Sequence, residues 1–181
     1  MEKKYDKRYR ETDQLIKDVF IQLVETRGYS NVTVKDIANR AQINRNTFYL
    51  HYRDKEDLID KITLTIFNES YEKVKEINEI RELSTEKGNE IALTNFMKSI
   101  YHHIEFFRIL LKDPNLTGYF YNFQRNLIRY FTQKYSDKSI DSRITIEYKL
   151  SGFFGVMIDW IIYDRYSIND IVYTFSKILF E

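Results

Sequence analysis

A single proline and five glycines punctuate 181 residues. That is too little turn chemistry for a many-stranded sheet, and it favours a mostly helical chain. The apolar spacing agrees. Leu15, Ile16, Val19, Phe20, Leu23 and Val24 recur at i, i+3 and i+4, with Thr12 as an N-cap and Gly28 as a stop. Thr33 caps a short helix, VKDIANRA, whose Val34, Ile37, Ala38 and Ala41 face inward. Asn44 caps another through about His51. A third opens at Asp54 and runs to about Ile80 on Leu58, Ile59, Ile62, Ile66 and Phe67. The segment RELSTEKGNE (81–90) is polar and loop-like. Beyond it the spacing predicts helices at about 90–111, 116–135, 141–164 and 168–180, the last capped by Ser167.

The absence of cysteine excludes disulfides, thiolate metal sites and a thiol nucleophile, and fits a reducing cytosol. MEKKYDKRYRETDQ has no apolar segment of the kind found in signal peptides. The longest apolar run, LSGFFGVMIDWIIY (150–163), is too short to span a bilayer and contains Asp159. These features predict a cytoplasmic protein without a membrane partner. Charge is unevenly placed. Residues 1–53 hold eleven Lys/Arg against seven Asp/Glu, leaving seventeen against twenty in the remainder. The N-terminal third is therefore the side suited to an anionic partner.

Two short helices joined by a tight turn and braced by a longer one form a helix-turn-helix, which presents the start of its second helix to a major groove. Here the turn is Ala41-Gln42-Ile43-Asn44. The stretch TVKDIANRAQINRNTFYLHYRDKEDLI resembles the DNA-binding signature of the TetR family of bacterial regulators, roughly T-x-x-x-I-A-x-x-A-G-V-S-x-G-T-x-Y-x-H/Y-F-x-x-K-x-x-L. Thr33, Ile37, Ala38, Ala41, Thr47, Tyr49, His51, Lys55 and Leu58 match it, with Ile43, Asn44 and Tyr52 as conservative variants. Gln42 and Asn46 stand where the family usually has glycine, so the turn must tolerate a side chain and operator preference cannot be copied from a relative.

The resemblance implies an all-α protein, with a three-helix DNA-binding domain over 1–55 and a larger helical ligand-binding and dimerisation domain over 56–181. Thr33 is implied to bond a phosphate with Lys35 close by. Arg45, Asn46 and Thr47 are implied to meet base edges, Tyr49 and His51 to send their polar ends to phosphates, and Lys55 to add charge at the next helix start. Phe48 and Tyr52, one turn apart, are expected to be core. For Tyr49 a plain surface role is the competing reading, and for His51 a buried core histidine. The basic residues of KKYDKRYR (3–10) either brush phosphate or form a tail.

In the C-terminal part, Gly152, Phe153, Val156, Met157, Trp160 and Ile161, with Ile171, Phe175 and Ile178, are the candidate dimer interface. The resemblance implies an intersubunit four-helix bundle of the last two helices; the competing reading is an ordinary intrachain core. A twofold dimer implies a near-palindromic operator on double-stranded DNA. Phe96, Tyr101, Phe107, Tyr119, Phe120, Phe123 and Tyr130 either line an effector pocket or pack on one another. His102 and His103 are adjacent and lack a ligand partner at i+4, so no metal is expected, and no cofactor motif occurs. No nucleophile–base pair or credible carboxylate pair points to an enzyme. The expected function is a dimeric transcriptional repressor released by a small molecule. The alternatives are an activator, a regulator controlled by a protein partner, or a helical lipid-binding protein or enzyme.

Overall fold

The computed structural model describes residues 2–81, 86–137 and 139–180. Among these residues there is no strand, and the elements run α1 (Glu2–Arg27), a 3-10 turn (Tyr29–Asn31), α2 (Val34–Arg40), α3 (Arg45–His51), α4 (Lys55–Arg81), α5 (Glu86–His102), α6 (Ile104–Lys112), α7 (Thr117–Tyr135), α8 (Ile140–Tyr163) and α9 (Ile168–Phe180). The chain is an all-α protein with an N-terminal helix-turn-helix domain and a C-terminal helical domain.

Several boundaries differ from the periodicity. Helix α1 starts at Glu2, so the basic segment before Thr12 is helical and Thr12 is no cap. Residues 86–90 belong to α5 rather than to a loop, while 82–85 lie outside the described residues. The single helix expected over 90–111 is broken at His103, whose backbone (φ −113°, ψ 25°) leaves the helical region without a Pro or Gly. Ser167 caps α9 as expected, accepting the Asp170 N–H at 3.1 Å while Asp170 accepts the Ser167 N–H at 3.2 Å.

One continuous apolar cluster runs through the molecule. In the N-terminal part Ile16, Phe20 and Leu23 of α1 meet Ile37 of α2, Phe48 of α3 and Leu58 and Ile59 of α4, all buried. Farther on, α5 packs against α4 and α9, α7 packs against α8, and α6 touches α1, α7 and α8. Helix α4 takes part in both halves. Its first turn completes the core of the helix-turn-helix domain, and its later turns lie on α5 and α7.

The turn between α2 and α3 shows how the chain accommodates the missing glycine. Gln42 adopts φ 55°, the left-handed region that L side chains enter only at a cost. Its N–H donates to Asn39 O at 3.2 Å, and the Ile43 N–H donates to Ala38 O at 3.0 Å, which closes α2 tightly. Asn46, by contrast, sits in α3 with ordinary helical angles, so its substitution for glycine meets no backbone demand. Relieving the strain should stabilise the fold: Gln42→Gly is expected to raise the free energy of unfolding by about 1 kcal/mol. Urea unfolding at unchanged slope reads this directly; a lower midpoint would contradict the strain argument.

Candidate nucleic-acid interface

Helix α2 is set by a capping box. Thr33 Oγ1 accepts the Asp36 N–H at 3.2 Å, and the Asp36 carboxylate accepts the Thr33 N–H at 3.0 Å. The Thr33 hydroxyl also lies against that carboxylate. These hydrogen bonds from Thr33, with Arg27 and Lys35 nearby, hold the Asp36 carboxyl below its usual range. Thr33 thus reaches the surface with its hydroxyl already engaged, beside an anionic group that repels phosphate. Lys35 is exposed next to it.

Helix α3 begins at Arg45 behind Asn44, whose side chain accepts the Asn46 N–H at 2.8 Å. Two rings fix the helix to the core. Phe48 is fully buried, and Tyr52, at the C-cap, is 3% exposed. Arg45, Asn46, Tyr49 and Leu50 are left exposed, with Thr47 half-buried. Arg45 donates to the Tyr49 hydroxyl at 2.9 Å, and its guanidinium carbon lies 5.6 Å from the ring centroid. The two side chains one helical turn apart therefore form one oriented pair. Leu50, which sequence reasoning missed, is 72% exposed. A large apolar side chain off the Phe48–Tyr52 core face was the signal available for it. At a major groove such a group suits a thymine methyl.

Two residues expected at the DNA are engaged within the chain. His51 lies behind the surface rather than on it: the residue is 8% exposed, its ring stacks on Tyr9 at 4.0 Å between centroids, and Nδ1 is 3.4 Å from Asp13. The cause is helical phase, because α3 turns residue 51 towards α1. Lys55 is drawn inward, donating to Tyr29 O at 2.9 Å with its ammonium 4.3 Å from the Tyr29 ring centroid.

Beneath α3, Asp13 gathers Tyr52 Oη at 2.6 Å and Lys17 Nζ at 2.8 Å. Burial would raise the Asp13 carboxyl, but the hydrogen bonds from Lys17 and Tyr52 and the Lys17 charge outweigh it and pull the group below its ordinary value. A carboxylate depressed in the folded state stabilises above its unfolded pKa, and that contribution is lost as pH falls through the folded value. The thermal midpoint is therefore expected to drop as pH falls below about 4. Asp13→Asn should show a shallower drop. Equal slopes for the two proteins would remove Asp13 from the account.

The remaining expectations divide by burial. Of the candidate dimer residues, Phe153, Met157, Trp160, Ile161, Ile171 and Phe175 are buried within the chain, between 0% and 8% exposed. They form core because α8 and α9 turn these faces towards the neighbouring helices, as in the Phe153–Phe175 ring contact at 5.2 Å and the Phe153–Phe96 contact at 6.1 Å. Gly152 and Ile178 are exposed, and Val156 is partly so. The candidate pocket rings mostly pack on one another. Phe107, Phe120 and Phe123 are in mutual contact with centroids 5.9–6.4 Å apart. Phe96 is buried, Tyr119 donates to Asp60 at 2.5 Å, and Tyr130 meets Tyr71 at 5.1 Å. Tyr101 is 58% exposed. Asp159 pairs with Arg165 at 3.1 Å, and His103 Nε2 lies 2.8 Å from Glu69. Among the described residues no group of three His, Cys, Asp or Glu is placed to hold a metal ion, and no helix is long and apolar enough to cross a membrane.

Residues 18–62, which contain every residue expected at the DNA, match the family described as bacterial regulatory proteins, tetR family. The fold is similar to a TetR transcriptional regulator from Streptococcus agalactiae 2603V at 21% identity, with 99% of each chain covered and a TM-score of 0.66. A TerR/AcrR-family regulator from Aquifex aeolicus VF5 is similar at 20% identity, over 92% of this chain and 96% of that one, with a TM-score of 0.68. So is the fatty acid degradation regulator FadR from Bacillus halodurans, at 18% identity over 93% and 94%, with a TM-score of 0.64. At these identities the likeness establishes the fold, and the family match is confined to residues 18–62. Residues 18–62 thus match the DNA-binding part of the tetR family of bacterial regulatory proteins, and the chain as a whole has the fold of TetR-type regulators.

Proposed function

We propose that the chain represses transcription by binding a near-palindromic operator as a homodimer and that a small molecule releases it. The observation that carries the DNA half is the division of α3. Phe48 and Tyr52 are buried, while Arg45, Asn46, Tyr49 and Leu50 stand exposed on a helix that offers them no core role. On this reading residues 1–55 are the DNA-binding domain and 56–181 the regulatory and dimerisation domain. Arg45 and Asn46 read base edges with Thr47 beside them, Leu50 meets a thymine methyl, and Tyr49 with Lys35 holds phosphates. Thr33 caps α2 at the surface beside them, and His51 and Lys55 act behind them, fixing α1 and the α1–α2 link in place.

Dimerisation is supported by the exposed side of α8 and α9, which keeps Gly152 and Ile178 of the candidate set but not its buried rings. Ile140, Ile144 and Tyr148 are 74%, 59% and 78% exposed and follow one another by single helical turns. Gly152 and Gly155 continue the exposed side, and a Cβ built on either meets no atom within 4 Å. On α9, Tyr173 and Ile178 are 60% and 40% exposed. Large apolar groups left in water beside glycines with no packing reason inside the chain suit a close helix approach from a second copy.

Tyr49→Phe tests the phosphate role. On an operator recovered by selection it should weaken binding roughly tenfold, the loss of one charge-assisted hydrogen bond, with the oligomeric state unchanged. Operator affinity equal to that of the parent would remove Tyr49 from the interface.

A further inference from the structure

We propose that the cleft between α7 and α8 binds a small organic anion carrying carboxylate or phosphate groups. The cleft has a volume of about 710 Å³, and Arg125 and Arg129 of α7 face Arg143 of α8 across it. The one carboxylate in its lining is that of Glu147. Everything beyond residue 53 carries more acidic than basic residues, so three guanidiniums around one concavity run against the local charge balance. Arg125 and Arg129 are also spaced i, i+4 on one helix, where like charges destabilise each other.

Internal pairing does not explain them. Arg125 donates to Asn122 Oδ1, but among the described residues neither Arg129 nor Arg143 has a hydrogen bond or ion pair from its guanidinium. Unneutralised charge in a concave site raises the local concentration of anions. The planar guanidinium fork matches the two oxygens of a carboxylate or phosphate. Tyr121, exposed at the rim, and Thr132, whose buried Oγ1 has no partner, add hydroxyls to the lining. The volume suits a metabolite-sized molecule.

Helix α7 also reaches the reader. Tyr119, in its first turn, donates to Asp60 of α4. Just before it, Asp113 accepts the Tyr29 N–H at 2.7 Å, and Asn115 donates to Ser30 at 3.2 Å. An anion drawing α7 and α8 together would thus pull on helix α4 and on the link between α1 and α2. This consequence rests on the regulator reading; binding of the anion does not.

Titration calorimetry of the full chain with citrate and, separately, with pyrophosphate tests the site, with glycerol as a neutral control. The expected result is saturable binding of at least one probe, one molecule per chain. The probe that binds more tightly tells carboxylate from phosphate chemistry. Affinity should fall at least tenfold in Arg129→Gln/Arg143→Gln and stay at the parental value in Tyr49→Phe. Both replaced arginines are exposed, and an unchanged melting curve verifies the fold; Arg125→Gln provides a second, independent variant. Binding of neither probe, or equal binding by the parent and the arginine variants, would overturn the proposal. Neither result would touch operator recognition, which is measured without a probe.

Discussion

Replacing Phe48 by alanine is expected to remove about 3–5 kcal/mol of stability and, with it, DNA binding. The ring is fully buried and lies 5.7 Å, centroid to centroid, from both Tyr49 and Tyr52. It therefore supports the exposed pair on one side and the Asp13-bonded tyrosine on the other. A helix of seven residues has little stability of its own, so α3 keeps its place through this contact. Domains of this kind are stable by about 5–15 kcal/mol, and the loss takes a large share of that. Chemical denaturation gives the first number and operator titration the second. A cost below about 1 kcal/mol would mean that α3 is held by something other than this ring.

Replacing Gly155 by arginine is expected to give a monomeric chain whose operator affinity is lower by about a hundredfold or more. Inside one chain the position has room, because a Cβ placed there meets nothing within 4 Å. The substitution therefore leaves the fold of the single chain intact and even removes the helix penalty of glycine, about 1 kcal/mol. All of the loss must come from the partner, which would have to admit a long charged side chain where two helices approach closely. When the two readers are uncoupled, the second operator half-site no longer binds at high effective concentration. Sedimentation equilibrium reads the mass and anisotropy the affinity. A dimer that survives Gly155→Arg would place the interface elsewhere.

The reader was largely legible because its rules are local. Caps at Thr33 and Asn44, the turn at 41–44 and the one-turn spacing of Phe48 and Tyr52 follow from side chains within a few residues. What escaped depended on distant partners. His51 is turned inward by a surface that includes Tyr9 and Asp13, some forty residues earlier, and Lys55 is claimed by Tyr29. Local spacing carries no trace of either. Helix α8 was ambiguous for another reason: it is apolar around much of its circumference, so the pattern could not say which side meets α5 and α9. Phe153 and Met157 went inward, while Ile144, Tyr148 and the glycines stayed out. For the aromatic set in α5–α7 spacing left pocket and packing equally open, because rings at helical spacing can satisfy one another. The arginines of the α7–α8 cleft were invisible because Arg143 joins the other two only through tertiary packing.

The central claim is that two copies of α3 read one operator together. Selection of bound duplexes from a random DNA pool by the full chain, followed by sequencing, tests it most directly. The account predicts enrichment of an inverted repeat whose half-site centres lie one helical turn apart, roughly 34–36 Å, or a multiple of it. Salt-sensitive binding with no enriched sequence would contradict it.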